Sequence, residues 1–139
     1  MADAAAAGSA VVPVLRVDDL ERSLAFYRDG LGFELVWRRP LPDGEWAELR
    51  QGALRVYLAE SAGGRAVWVY FYVPDADACH RALLARGVAT ARWPQTQPWG
   101  NREFELTDPD GHRLIFAAPP ARPTVVVHRR ASDGPEEST

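Results

Sequence analysis

The sequence predicts an α+β domain of two βαβββ repeats, forming a curled, barrel-like mixed sheet with helices outside. Three observations carry this. Short runs with apolar alternation, bounded by turn residues, mark half-buried strands. Two segments carry helical spacing behind an aspartate cap. The second half also repeats the order of the first. Val17-x-Asp19 recurs as Val73-x-Asp75, helix-ending Gly32 as Gly87, and Glu48-Leu49 as Glu105-Leu106, at offsets of 56, 55 and 57 residues. A unit this small cannot cover both faces of its sheet, so the two are expected to pair about a pseudo-twofold axis.

In order, Val11 to Val17 is apolar with Pro13 inside, which suits an edge strand. Asp18 and Asp19 are N-cap candidates, with Glu21 three residues after Asp18. Leu20, Leu24, Tyr27 and Leu31 recur at helical spacing, and Gly30 or Gly32 ends that helix. Phe33 to Trp37 is a strand. Pro42-Asp43-Gly44 turns into a strand from Trp46 to Arg50, and Gln51-Gly52 turns into one from Leu54 to Leu58. After Ser61-Ala62-Gly63-Gly64 the order starts again. Val67 to Val73 is a strand, Asp75 caps a helix carrying Ala76, Cys79, Leu83 and Leu84, and Gly87 stops it. Val88 to Trp93 is a short strand. The hairpin Gln97 to Phe116 closes the unit, turning at Asp108-Pro109-Asp110-Gly111, where proline pre-sets φ and glycine accepts a positive one.

Residues 11–118 are therefore expected to be the domain, with repeats 11–60 and 66–118, a flexible 1–10 and a tail over 119–139. Within the tail, Val125-Val126-Val127 could add an edge strand. A net charge of -3 argues against an electrostatic nucleic-acid partner. The single cysteine, Cys79, excludes an internal disulfide and fits a reducing compartment. No stretch reads as a membrane span or a signal peptide, so a cytoplasmic protein is expected.

Alternation also assigns faces. One set is uniformly apolar: Leu15 and Val17, Ala47 and Leu49, Val56 and Leu58, Val69, Phe71 and Val73, Phe104 and Leu106, Leu114 and Phe116. It should lie under the two helices. The other set mixes rings with charges: Trp46 and Glu48, Arg55 and Tyr57, Trp68, Tyr70 and Tyr72, Glu103 and Glu105, Arg113 and Ile115. Such a face either lines a cleft that stacks flat rings and attracts positive charge, or fills a barrel, or meets another subunit. Glu103 and Glu105 are either an acid–base pair or salt partners for Arg55 and Arg113. Cys79 reads as core, and His80, His112 and His128 read as solvated surface histidines.

The chain resembles the glyoxalase, bleomycin-resistance and extradiol-dioxygenase superfamily, the vicinal oxygen chelate proteins. The residues that carry this are Val12-Pro13-Val14-Leu15, Asp19-Leu20, Ser23-Leu24-Ala25-Phe26-Tyr27, Leu31-Gly32-Phe33 and the run from Asp108 to Phe116. The stretch Gln97 to Phe116 looks most like the bleomycin-resistance proteins, from which Asn101 departs as an extra residue. The resemblance implies a metal-free homodimer that sequesters a cationic, aromatic glycopeptide antibiotic in clefts shared by two subunits, with Pro13 where an N-terminal strand is exchanged. It makes Trp37 and Trp99 stacking residues and Tyr70 and Tyr72 cleft lining. Trp46, Tyr57, Trp68, Glu103 and Glu105 complete the candidate ligand site.

Enzymes of this superfamily hold a divalent metal at four positions, two per repeat. Those positions fall here on Val12, Tyr57, Trp68 and Ile115. Three of the four offer no ligand atom, and a lone tyrosine is a poor one. The expectation is no metal, no cofactor and no catalytic residue. The alternatives are a metal-dependent glyoxalase-like isomerase or ring-cleaving dioxygenase acting on a small metabolite, and a binder of another aromatic natural product.

Overall fold

The computed structural model describes residues 8–120. The first repeat runs β1 (Val14–Val17), α1 (Leu20–Leu24) with a π-helical continuation (Ala25–Gly30), β2 (Glu34–Leu41), β3 (Gly44–Gln51) and β4 (Leu54–Glu60). The second runs β5 (Trp68–Tyr72), α2 (Ala76–Ala85), β6 (Arg92–Thr96), β7 (Arg102–Thr107) and β8 (Arg113–Ala118). Each repeat builds a four-stranded sheet, ordered β1-β4-β3-β2 in one and β5-β8-β7-β6 in the other. First and last strands pair in parallel, with Leu15 opposite Leu58 and Phe71 opposite Phe116. The remaining pairs are antiparallel.

The sheets stay separate, where a barrel-like closure was expected. Among the described residues β1 and β5 each hydrogen-bond to one neighbour only, so each sheet has two edge strands there. What joins them is the apolar face. Every strand residue assigned to that face by alternation is buried or packed against the core. Phe33 meets Phe71 across the repeats at 6.0 Å, and Phe71 and Phe104 both pack on Phe116 at 5.1 Å. Burying each such ring contributes about 1.5–3 kcal/mol.

Both helices start on an aspartate cap, Asp19 of the two candidates before α1 and Asp75 before α2, and the Asp18–Glu21 spacing is not the one used. Asp19 Oδ1 accepts from the Arg22 amide and Asp75 Oδ1 from the Ala78 amide. The first helix departs from expectation. After Leu24 it widens, and the Leu31 amide donates to Phe26 O, five residues back, at 2.8 Å. Apolar spacing of three and four residues does not distinguish such a turn from an α-helix. The short strand expected over Val88 to Trp93 lies at Arg92–Thr96 instead. Pairing with β7 sets its place, with Arg92 opposite Glu105 and Gln95 opposite Glu103 across a bulge. Pro94 is tolerated there because β6 is an edge strand.

Two histidines correct the sequence reading. His80 and His112 are 2% and 1% exposed, not solvated. His112 Nδ1 accepts from the Val67 amide and Nε2 donates to Arg16 O at 2.8 Å, which fixes a neutral tautomer bridging the repeats. His80 shares a hydrogen bond with Thr90 Oγ1 and packs its ring on Trp93 and Phe104. Turn and helix signals say which residues begin an element, but not which polar side chain a neighbouring repeat will cover. His128, Val125 to Val127 and most of both expected flexible ends lie outside the described residues. Among those described, no helix is long and apolar enough to cross a membrane.

The turn at Asp108 to Gly111 locks the two repeats. Asp108 Oδ2 accepts from the buried Tyr27 hydroxyl at 2.7 Å, and its Oδ1 accepts from the Asp110 and His112 amides. Asp110 accepts from the Asp18 amide, Arg22 and Ser23. From the opposite direction, Arg86 donates to the carbonyls of Gly30 and Asp29 at the end of the π-helical turn.

Candidate functional site

On β5 successive side chains point to opposite faces of the second sheet. Phe71 points inward at 3% exposure, while Trp68, Tyr70 and Tyr72 keep 64%, 43% and 57% of their surface. Trp99, in the loop before β7, and Trp93, on β6, are also more than half exposed. Trp93 leans on His80 at the sheet edge, while Trp68, Tyr70, Tyr72 and Trp99 leave more ring surface exposed than a solvated sheet requires. Trp68, Tyr70, Trp93 and Trp99 border a shallow groove of about 160 Å³, open to solvent. That is below the roughly 300–1,000 Å³ of sites that enclose a drug-sized ligand, so within one chain the groove offers a stacking surface rather than an enclosing pocket. Ile115, 4% exposed, lies beneath.

The charged residues of the groove hold its rings in place. Glu103 Oε2 accepts from the Trp99 indole Nε1–H at 2.9 Å and from Asn101 at 3.3 Å. Its Oε1 accepts from the Tyr70 hydroxyl at 3.4 Å. Burial, and then the nearby Glu103 carboxylate, raise the Tyr70 phenol above its ordinary range, so it stays a donor. Glu105 Oε2 accepts from Arg113 Nε at 2.6 Å, and this hydrogen bond raises the guanidinium above its usual range. Arg113 in turn lies 3.9 Å over the Trp68 ring.

The first sheet carries a second aromatic cluster. A bulge between Leu35 and Trp37 brings Trp37 opposite Glu48, where a regular strand would place Val36. The Trp37 indole then donates to Glu48 Oε1 at 2.8 Å. Trp37 and Trp46 pack on Tyr57 at 5.7 and 6.1 Å, and Arg39 covers Trp37 at 5.1 Å. Burial alone would raise the Glu48 carboxyl. Hydrogen bonds from Arg50 and Arg55 outweigh it and hold the carboxyl below its ordinary range.

Of the nine candidate residues, the groove brings together Trp68, Tyr70, Trp99, Glu103 and Glu105. Tyr72 continues the same face, stacked on Tyr70 at 6.2 Å. Trp37, Trp46 and Tyr57 form a separate cluster whose ring and hydrogen-bond partners lie on the first sheet. The candidates omitted Arg92, Trp93, Gln95 and Gln97, which form the wall opposite β5. The one available signal was that Glu103 and Glu105 need an antiparallel partner strand, which Arg92 to Thr96 supplies.

A divalent metal does not fit the positions where the resemblance would put one. Val12 and Ile115 have no donor atom, the Trp68 ring is covered by Arg113, and Tyr57 alone remains. Among the described residues no three His, Cys, Asp or Glu side chains are grouped to hold a metal ion. The two carboxylates beside the groove are held by arginine, tryptophan and tyrosine donors instead.

Comparison with known proteins follows the same lines. The model of the Glyoxalase/Bleomycin resistance protein/Dioxygenase superfamily matches residues 9–116. An uncharacterized protein of Mycobacterium tuberculosis is 29% identical over 126 residues, covering 79% of this chain and 74% of the relative. The crystal structure of TnmS3, an antibiotic binding protein from Streptomyces sp. CB03234, is similar at 28% identity and a TM-score of 0.69, over 81% of this chain and 98% of that one. A bleomycin resistance determinant encoded on transposon Tn5 shares the fold, at 24% identity and a TM-score of 0.70, over 80% and 98% of the two chains.

Proposed function

The chain belongs to the Glyoxalase/Bleomycin resistance protein/Dioxygenase superfamily, and from that premise we propose that it is a metal-free binding protein that sequesters an aromatic natural product. The ligand stacks between the exposed rings of the second sheet. The observation that carries this reading is the groove itself, with Trp68, Tyr70, Trp93 and Trp99 around it and Trp99 held by Glu103. Each full stack contributes about 1 kcal/mol beyond the area it buries. The likeness to TnmS3 supports an antibiotic as the ligand class.

In its finest form the proposal names a bleomycin-type glycopeptide, bound between two copies of the chain. The two aromatic clusters favour the dimer. Each lies on its own open sheet, and pairing of two copies would let one face cover the other. Calorimetric titration with metal-free and copper-loaded bleomycin tests this form. Saturable heat supports it, and no heat at high micromolar ligand removes bleomycin from the proposal. The enzymatic alternative requires a metal for which the donor set is unsuited. Stoichiometric nickel, zinc, manganese or iron in the purified protein, with activity that follows it, would overturn the binding reading.

A further inference from the structure

We infer that the groove prefers an aromatic ligand bearing an acidic group, a carboxylate or a phenolate, over a cationic one. This rests on the stacking reading above, adds the ligand's charge to it, and stands against the bleomycin form of that reading, whose ligand is cationic. Four charged side chains border the groove: Glu103, Glu105, Arg92 and Arg113. Their formal charges cancel, so the face is not an acidic one.

The negative pair is already used. Glu103 is 7% exposed and takes three donors, from Trp99, Asn101 and Tyr70. Glu105 is held by Arg113, whose guanidinium is itself laid over Trp68. At Glu103 a cationic ligand would compete with three donors already in place, and at Glu105 it would lie beside the Arg113 guanidinium, whose like charge opposes it.

Arg92 is different. It is exposed, and among the described residues it makes no ion pair. It stands opposite Glu105 in the β6–β7 register, the place Trp37 holds opposite Glu48 in the first repeat. The second repeat therefore has a guanidinium, unpaired among the described residues, where the first has an indole. The amides of Gln95 and Gln97 line the same wall and offer both N–H donors and carbonyl acceptors, so the charge preference rests on Arg92. An acidic group on a ring stacked in the groove meets Arg92 without breaking any existing bond.

Three pyrene probes that share the ring and differ in one small substituent, anionic, neutral or cationic, test this on the full chain: 1-pyrenecarboxylate, 1-pyrenemethanol and 1-pyrenemethylammonium, followed by fluorescence polarisation. The carboxylate is expected to bind about fivefold tighter than the ammonium, as one partly exposed ion pair allows. The gap should narrow in high salt and in Arg92→Gln, and Trp99→Ala should weaken all three probes. Equal or tighter binding of the ammonium, or a gap that survives Arg92→Gln, would overturn the charge preference alone. Failure of all three probes to saturate, or indifference of every probe to Trp99→Ala, would overturn the stacking reading and this inference with it.

Discussion

Arg113 places its Nε 2.6 Å from Glu105 Oε2, and Arg55 places its Nε 2.9 Å from Glu48 Oε2. The two pairs occupy matching positions of the two repeats, one strand apart on the outer face of each sheet. The duplication therefore preserved an ion pair as well as a backbone. In both repeats the carboxylate lies beside aromatic rings and is held by the protein's own donors. Such a carboxylate orders its surroundings more than it attracts ligand charge.

Trp99 is the ring whose removal should report on the groove most directly. Its side chain is half exposed, so Trp99→Ala should leave the thermal midpoint within about 2 °C. Affinity for 1-pyrenemethanol should fall about five- to tenfold, as loss of one stacking partner predicts. A midpoint drop with no change in affinity would mean that Trp99 packs and does not bind.

Tyr27→Phe should be costly although it removes a single oxygen. The hydroxyl gives Asp108 Oδ2 its hydrogen bond inside the core, and removing it leaves that oxygen without a partner. The expected loss is about 1–3 kcal/mol, read by urea unfolding at neutral pH. Because the bond joins first-repeat helix to second-repeat turn, the transition should remain single. Two separate transitions would show that the repeats had come apart.

Glu48 predicts an acid-sensitive contribution to stability. Its folded carboxyl titrates below its unfolded range because Arg50 and Arg55 outweigh the effect of burial. A lowered folded pKa stabilises the folded chain above the unfolded value, about 4.3 for glutamate. That contribution is lost as pH falls through the folded value. Glu48→Gln should therefore be less stable at neutral pH, by about 1–2 kcal/mol for a carboxylate held by two arginines. The gap to the parent should begin to narrow in thermal melts as pH falls below the unfolded value and close only below the folded one. A gap independent of pH would assign the loss to packing.

The paired-sheet proposal predicts a solution mass twice the 15.4 kDa of one chain. Light scattering coupled to size exclusion measures it. A species of one chain mass at micromolar concentration would end the shared-cleft form of the proposal. Charge substitution on an outer ring, such as Tyr72→Glu, should shift a dimer toward the monomer.

The alternation of apolar and polar residues was enough to place the strand residues of the core. A strand's side-chain period is fixed by backbone geometry, and a buried face tolerates few exceptions. The same alternation placed Trp68, Tyr70, Glu103 and Glu105 together on the outward face. The duplication and the aspartate caps were also legible, because each depends on residue identity at a fixed spacing, and the poor metal donor set followed from the family resemblance.

Other features depended on contacts between distant residues. Asp108 and Asp110 read as turn formers, and only packing against Tyr27, Ser23 and Arg22 makes them the lock between repeats. His80 and His112 read as surface because nothing near them in sequence says that Thr90, Val67 and Arg16 will cover them. The strand Arg92–Thr96 was displaced because its partner β7, and not its own apolar content, sets its register. Separation of Trp37, Trp46 and Tyr57 from the groove was likewise invisible, since which sheet a strand joins is decided by long-range pairing. Sequence by itself determined what faces inward and what chemistry the outer face carries. Tertiary structure alone decided which outer residues share a groove and which charges are already spent, because both depend on neighbours tens of residues away along the chain.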